Sequence, residues 1–210
     1  MLGIIKRDLM LLFCNKRDGI FMLFYIPFLI LIIDSYDPKW LYLAIIVAYT
    51  YIVSITSFHY DMDGKGRNII NSLPINGGTI VFYKYLSTFV YFIMTIVYAG
   101  VYLWIINATG IKNVDYFNIE MIIKAIPIIM FTTSIVFPAY FYFEPNIARI
   151  FHMIVFIGFF IGVANLGALG DKSLVKKIGL LHGKSMVFVS IIMYMTSLLL
   201  SMKLYQSRDL

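Results

Sequence analysis

Few residues in this chain have the types and spacing that chemistry requires, and its three histidines, its lysines and its single cysteine come first. His59, His152 and His182 stand far apart, Cys14 is alone, and no HExxH run or paired intramembrane aspartates occur. That pattern argues against a metalloprotease or an aspartyl intramembrane protease. A lone cysteine makes no disulfide within the chain and no thiolate cluster for a metal. A single histidine near the end of an apolar stretch is more readily a hydrogen-bonded group than a ligand or proton relay. The run Ile178-Gly-Leu-Leu-His-Gly-Lys-Ser185 approaches a phosphate-cradling loop, but Ile178 stands where its first glycine belongs. It also precedes an apolar stretch instead of following a buried strand, so we read it as chance. The chain is expected to be no enzyme and to hold no cofactor or metal of its own.

The elements that carry these residues are set by composition. With 61% hydrophobic and 13% charged residues and a mean hydropathy of +0.86, the chain has too little polar surface for a water-soluble domain. The apolar residues fall in blocks long enough to cross a hydrocarbon core of roughly 30 Å. These run over Ile20–Ile33 (extended to 18–35), Trp40–Phe58, Ile80–Ile106, Met121–Phe143, Ile150–Leu169 and Met186–Leu204. The expected fold is all-α: a polytopic membrane protein with six transmembrane helices in one domain over 19–210, with a cytoplasmic loop at 60–80. Residues 1–18 alternate Ile4, Ile5, Leu9, Leu12 and Phe13 with charged side chains. This suits a retained interfacial amphipathic helix, or else an extension of the first span.

Orientation follows from the basic residues. Lys6, Arg7, Lys16, Arg17, Lys65, Arg67, Lys84, Arg149, Lys203 and Arg208 share one side, which leaves a minority of the 17 on the other. Both termini are therefore expected in the cytoplasm. Lys84, near the start of the third span, is expected to snorkel toward the headgroups. Trp40 and Trp104 fall at outer ends, where an interface favours them. None of the 11 acidic residues falls well inside a span, which weighs against ion-coupled transport and against a cation channel lined by acid rings. In the fifth span Gly158 and Gly162, followed by Asn165, form a small-residue face for close helix packing, within the bundle or against a second copy.

The most polar inner segment runs from His59 to Tyr85, with Asp61, Asp63, Arg67, Asn71, Leu73 and Pro74 in order. Spacing alone allows a short helix ending before Pro74 as a docking peg, or an ordinary solvated loop. An aspartate after the second span, Asn-Ser-Leu-Pro at 71–74, Ile80-Val81, and Lys84-Tyr85 entering the third span together resemble the permeases of type-2 ABC transporters. Within them the chain is most similar to small permease subunits of exporters of phenol-soluble modulins and antimicrobial peptides. Where that family often has a basic residue after Leu-Pro, this chain has Asn76-Gly77-Gly78.

The resemblance implies that the loop around Asp61 to Pro74 is a coupling helix seated on an ABC ATPase subunit. Phe143 to Arg149, with Glu144, would be a second coupling element, and residues 1–18 an elbow helix. It also implies ATP and Mg on the partner subunit, a second permease copy in a two-plus-two assembly, and residence in a bacterial plasma membrane. The aromatic, nearly uncharged spans suit an amphipathic peptide cargo, with Tyr49, Tyr51, Tyr91, Tyr98 and Tyr102 as candidate lining, and no nucleic acid. Alternatives are a non-transporting immunity or scaffold protein that binds peptides, or a permease for lipid-like or drug cargo.

Overall fold

The computed structural model describes residues 2–32, 38–62, 75–110, 113–169 and 183–207. Among these residues the chain is all-helical: α1 (Leu2–Cys14), α2 (Lys16–Ile32), α3 (Pro38–Met62), α4 (Gly77–Ala108), α5 (Ile119–Tyr142), α6 (Pro145–Leu169) and α7 (Gly183–Gln206). The N-terminal helix ends sooner than the 1–18 segment suggested. It breaks at Asn15, so Lys16, Arg17 and Asp18 open α2.

Local sequence explains the boundaries. The Asn76 side chain accepts from the Gly78 amide at 3.1 Å and caps α4. Asn118 caps α5 by accepting from the Met121 amide at 3.3 Å, and Glu120 pairs with Lys124 one turn on at 2.6 Å. Pro145 opens α6 at the position where its missing N–H costs nothing. Pro27, Pro127 and Pro138 stand inside helices, as neighbouring helices permit in a membrane bundle.

Among the described residues four helices are long and apolar enough to cross a membrane: Trp40–Met62, Gly77–Ala108, Ile119–Tyr142 and Ser185–Gln206. The apolar part of α6 that the description covers is Pro145–Phe159, and α2 has 17 residues, so the six-span count goes beyond these four.

The bundle is built around α3, whose most apolar window is 89% buried. It packs against α1, α2, α4, α5 and α6, while α5 and α7 share the most extensive interface. Along α4, Phe82, Leu86, Phe89, Ile93, Val97 and Val101 are exposed at steps of three or four, one continuous stripe on a helix. Thr95, Ser87, Thr88 and Tyr91 lie on its buried side. The arrangement is apolar outward and hydroxyl-rich inward, as a lipid solvent requires. Between α4, α5 and α7 the Tyr85 hydroxyl meets Ser197 and Ser201 at 2.7 and 2.8 Å. Ser197 donates to the Ser134 carbonyl at 2.6 Å, and the Tyr194 hydroxyl donates to the Tyr85 carbonyl at 2.7 Å.

Candidate functional site

Two features of this bundle bring polar side chains together. The first is a cluster of charges at the junction of α1, α3 and α4. Lys84 does not snorkel: its side chain is 1% exposed and turns inward. Its Nζ lies 2.7 Å from Asp8 Oδ2 and 2.5 Å from Asp61 Oδ2. The Arg7 guanidinium completes the set, 2.6 Å from Asp8 Oδ1 and 2.5 Å from Asp61 Oδ1.

Asp8 is also buried, so the charged side chains of α1 do not all face the headgroups. Its placement follows from neutralisation, because a buried charge is tolerated only when paired and hydrogen-bonded. Lys84 Nζ donates further to the Ser57 carbonyl and hydroxyl at 3.2 and 3.3 Å and sits 5.3 Å from the centre of the Phe58 ring. Burial works against the Arg7 charge, but Asp61 and Asp8 outweigh it and raise the guanidinium above its ordinary pKa. A second tie between α1 and α3 comes from Tyr60, whose hydroxyl donates to the Leu11 carbonyl at 3.4 Å and accepts from Asn15 at 3.1 Å.

These contacts place the residues singled out by sequence. Asp61 lies in the last turn of α3 with both carboxylate oxygens engaged, one by Arg7 and one by Lys84. Asp63, Arg67, Asn71, Leu73 and Pro74 lie outside the described residues. The second inner element is a corner of two residues, Phe143 and Glu144, between α5 and α6. Glu144 and Arg149 are exposed there, and the Glu144 carbonyl accepts from the Ala148 amide at 3.0 Å. Gly77 and Gly78 have a local reason: a Cβ on Gly77 would stand 2.9 Å from the Tyr205 ring, and one on Gly78 3.3 Å from Gln206. The glycines let the start of α4 lie against the end of α7.

The second feature is a cleft of about 570 Å³ between α2, α3 and α6. Phe24, Tyr25 and Phe28 line it from α2, Ile52, Ile55, Thr56 and His59 from α3, and His152 and Phe156 from α6. Phe24 and Phe28 are more than half exposed and form an outer lip, while Tyr25 is buried. The Tyr51 hydroxyl lies 3.0 Å from His152 Nδ1 and 3.3 Å from the His152 carbonyl. Both contacts are satisfied when Nδ1–H donates to Tyr51 and Tyr51 donates to the carbonyl. Tyr51 stacks on the His152 ring at 5.3 Å and on Phe156 at 6.0 Å, which fixes that wall.

Two histidines, a threonine and a buried tyrosine in an otherwise apolar cleft make a place for a molecule with one oily face and a few polar groups. Sequence reasoning missed this wall, because His59 and His152 are far apart in the chain and each looked like an isolated end group. Of the five tyrosines offered as lining, Tyr51 backs the cleft through His152, while Tyr49 stacks on Tyr98 at 5.3 Å, Tyr98 lies 6.1 Å from Tyr102, and Tyr91 is buried against the charge cluster.

On the small-residue face of α6, a Cβ on Gly158 or Gly162 would meet nothing within 4 Å. That face is not a packing surface of the described bundle. The backbone of Asn165 belongs to α6, and its side chain lies outside the description.

A family model described as ABC-2 family transporter protein matches residues 3–206. No curated protein and no solved structure matches the chain. The match takes in the described helices α1 to α7, the charge cluster and the cleft. The chain therefore belongs to the ABC-2 family of transporter proteins, as a membrane-embedded permease for which the family implies an ATPase partner subunit.

Proposed function

We propose that this permease is the transmembrane subunit of an ATP-driven exporter of amphipathic peptides, toxins or antimicrobial peptides, in a bacterial plasma membrane. The cleft between α2, α3 and α6 carries the cargo assignment: its walls are apolar, its lip is exposed, and its polar groups are few. An amphipathic helix presents the same combination, an apolar face bordered by polar groups. Lipid-like cargo shares the apolar part, and competition between a lipid and a peptide for the site separates them.

In this reading six helices, α2 to α7, cross the membrane, both termini are cytoplasmic, and two copies join two ATPase subunits that bind ATP and Mg. The segment from Asp61 to Pro74 and the corner at Glu144 to Arg149 meet the ATPase, so ATP-driven closure moves the inner ends of α3 to α6. Co-purification of a tagged chain with a separately encoded ATPase tests the assembly. Export of an amphipathic peptide from inverted vesicles tests the cargo. Arg67→Glu combined with Pro74→Ala is expected to lower peptide export at least about tenfold while the chain still inserts, the effect of removing a coupling free energy of roughly 1.4 kcal/mol or more. Export that persists undiminished, or a chain that retains no ATPase, rejects the proposal.

A further inference from the structure

The four charges at the inner end do more than neutralise one another pairwise. Each cation contacts both anions, so the contacts close a ring that runs Arg7, Asp8, Lys84, Asp61 and back to Arg7. Its members come from three elements: Arg7 and Asp8 from α1, Asp61 from the last turn of α3, and Lys84 from the second turn of α4. The segment between α3 and α4 is the one that the coupling reading assigns to the ATPase. The ring therefore fastens the helix before that segment to the helix after it, and fastens both to α1.

Burial is uneven around the ring. Asp8 and Lys84 are each 1% exposed, whereas Asp61 is 14% and Arg7 26% exposed. A dry pair of opposite charges holds its position firmly, because separating it leaves two uncompensated ions in a poor solvent. The wetter Arg7–Asp61 edge can open with water replacing the lost bonds. The Tyr91 hydroxyl, 3.4 Å from Asp8 Oδ2, and the Ser57 oxygens hold the dry side in place. Closed, the ring ties α1 to the end of α3 and the start of α4.

We infer that this ring is the joint through which the N-terminal helix positions the inner loop, with Asp8 and Lys84 as its positioning residues. The inference rests on the coupling reading above and adds α1 to the parts that transmit motion. A joint of this kind makes the loop's displacement depend on α1 as well as on the ATPase. It also explains why a lysine and an aspartate are kept in an apolar setting that penalises each of them alone.

The chain supplies its own probe, because Cys14 is its one cysteine and lies exposed at the end of α1. A nitroxide on Cys14 in the full chain, reconstituted in lipid nanodiscs, reports the docking of α1. Asp8→Asn combined with Lys84→Met removes one charge of each sign and leaves the Arg7–Asp61 pair, so the fold is spared an orphaned buried ion. The expected result is a more mobile label with little change in melting temperature. With the ATPase partner bound, peptide exported per ATP hydrolysed falls at least about fivefold, the lower end of coupling between communicating sites. Arg7→Gln with Asp61→Asn opens the wetter edge and is expected to act in the same direction. It decides the matter if the first variant fails to insert.

A wild-type label spectrum and unchanged export per ATP in the variants overturn the joint. A wild-type chain that exports no amphipathic peptide overturns the exporter reading instead. Label mobility then judges the joint alone, raised mobility in the variants supporting it and unchanged mobility rejecting it.

Discussion

Phe117 shows how a single residue holds the connection between α4 and α5. Its φ of 52° lies in the left-handed region, which costs a residue with a Cβ on the order of 1–2 kcal/mol. Fixed points on both sides impose it. Asn107 brackets Val114, donating to its carbonyl at 3.0 Å and accepting from its amide at 3.2 Å, while Asn118 caps α5 and donates to Asp115 at 2.6 Å. The Phe117 ring then lies so close to Gly100 that a Cβ there would stand 2.3 Å from it. Gly100→Ala is expected to destabilise the chain in detergent by about 1–3 kcal/mol, the range for overpacking. Adding Phe117→Ala is expected to recover most of that loss, a coupling that a thermal double-mutant cycle measures directly. Additive effects would mean that the two residues do not meet. Neither Gly100 nor Lys84 declared its role in the sequence. The partner of Gly100 is 17 positions away across a turn, and Asp8 is 76 positions from Lys84. A lysine flanked by apolar residues reads as a snorkelling side chain until its counterion is located.

The helices themselves were legible, because lipid demands apolar blocks. The blocks read from sequence begin at Ile80, Met121 and Ile150, and in the structure Asn76, Asn118 and Pro145, which that reading does not use, cap or open α4, α5 and α6 a few residues earlier. Facing was less legible, since helices apolar on every side carry little directional pattern. On α6 the glycine face suggested packing, yet within the described bundle nothing approaches it. Exposed glycine on a lipid-facing helix forgoes helix propensity of about 1 kcal/mol relative to alanine. A close approach by a second copy would offset that cost. Gly158→Leu with Gly162→Leu is therefore expected to leave the stability of the single chain within about 0.5 kcal/mol of wild type, as for a surface change. The same pair is expected to abolish recovery of an untagged copy with a tagged one from detergent. Undiminished recovery would move the contact between copies to another face.

At the scale of the molecule, the open quantity is whether α2 crosses the membrane. Its 17 described residues span about 26 Å at 1.5 Å per residue, a few ångströms short of a typical core of roughly 30 Å. Local thinning accommodates such a deficit at fractions of a kcal/mol per Å. The cleft depends on the answer, since α2 supplies its lip through Phe24 and Phe28, and a helix lying in the headgroups would carry those rings out of the bilayer. The buried Tyr25, Ile26 and Leu29 side chains hold α2 against its neighbours and give it a reason to cross. In the proposed orientation, with Lys16 and Arg17 on the inner side as the charge bias requires, a crossing α2 separates sequence position 34 from Cys14. An Asp34→Cys variant in a Cys14→Ser background is therefore expected to react with an impermeant maleimide in intact cells. Cys14 of the natural chain should react only once the inner face is opened. Labelling of residue 34 from the inner face alone would make α2 a non-crossing helix, invert the sidedness of α3 to α7 relative to the N-terminus, and remove the cleft from the path of any exported peptide.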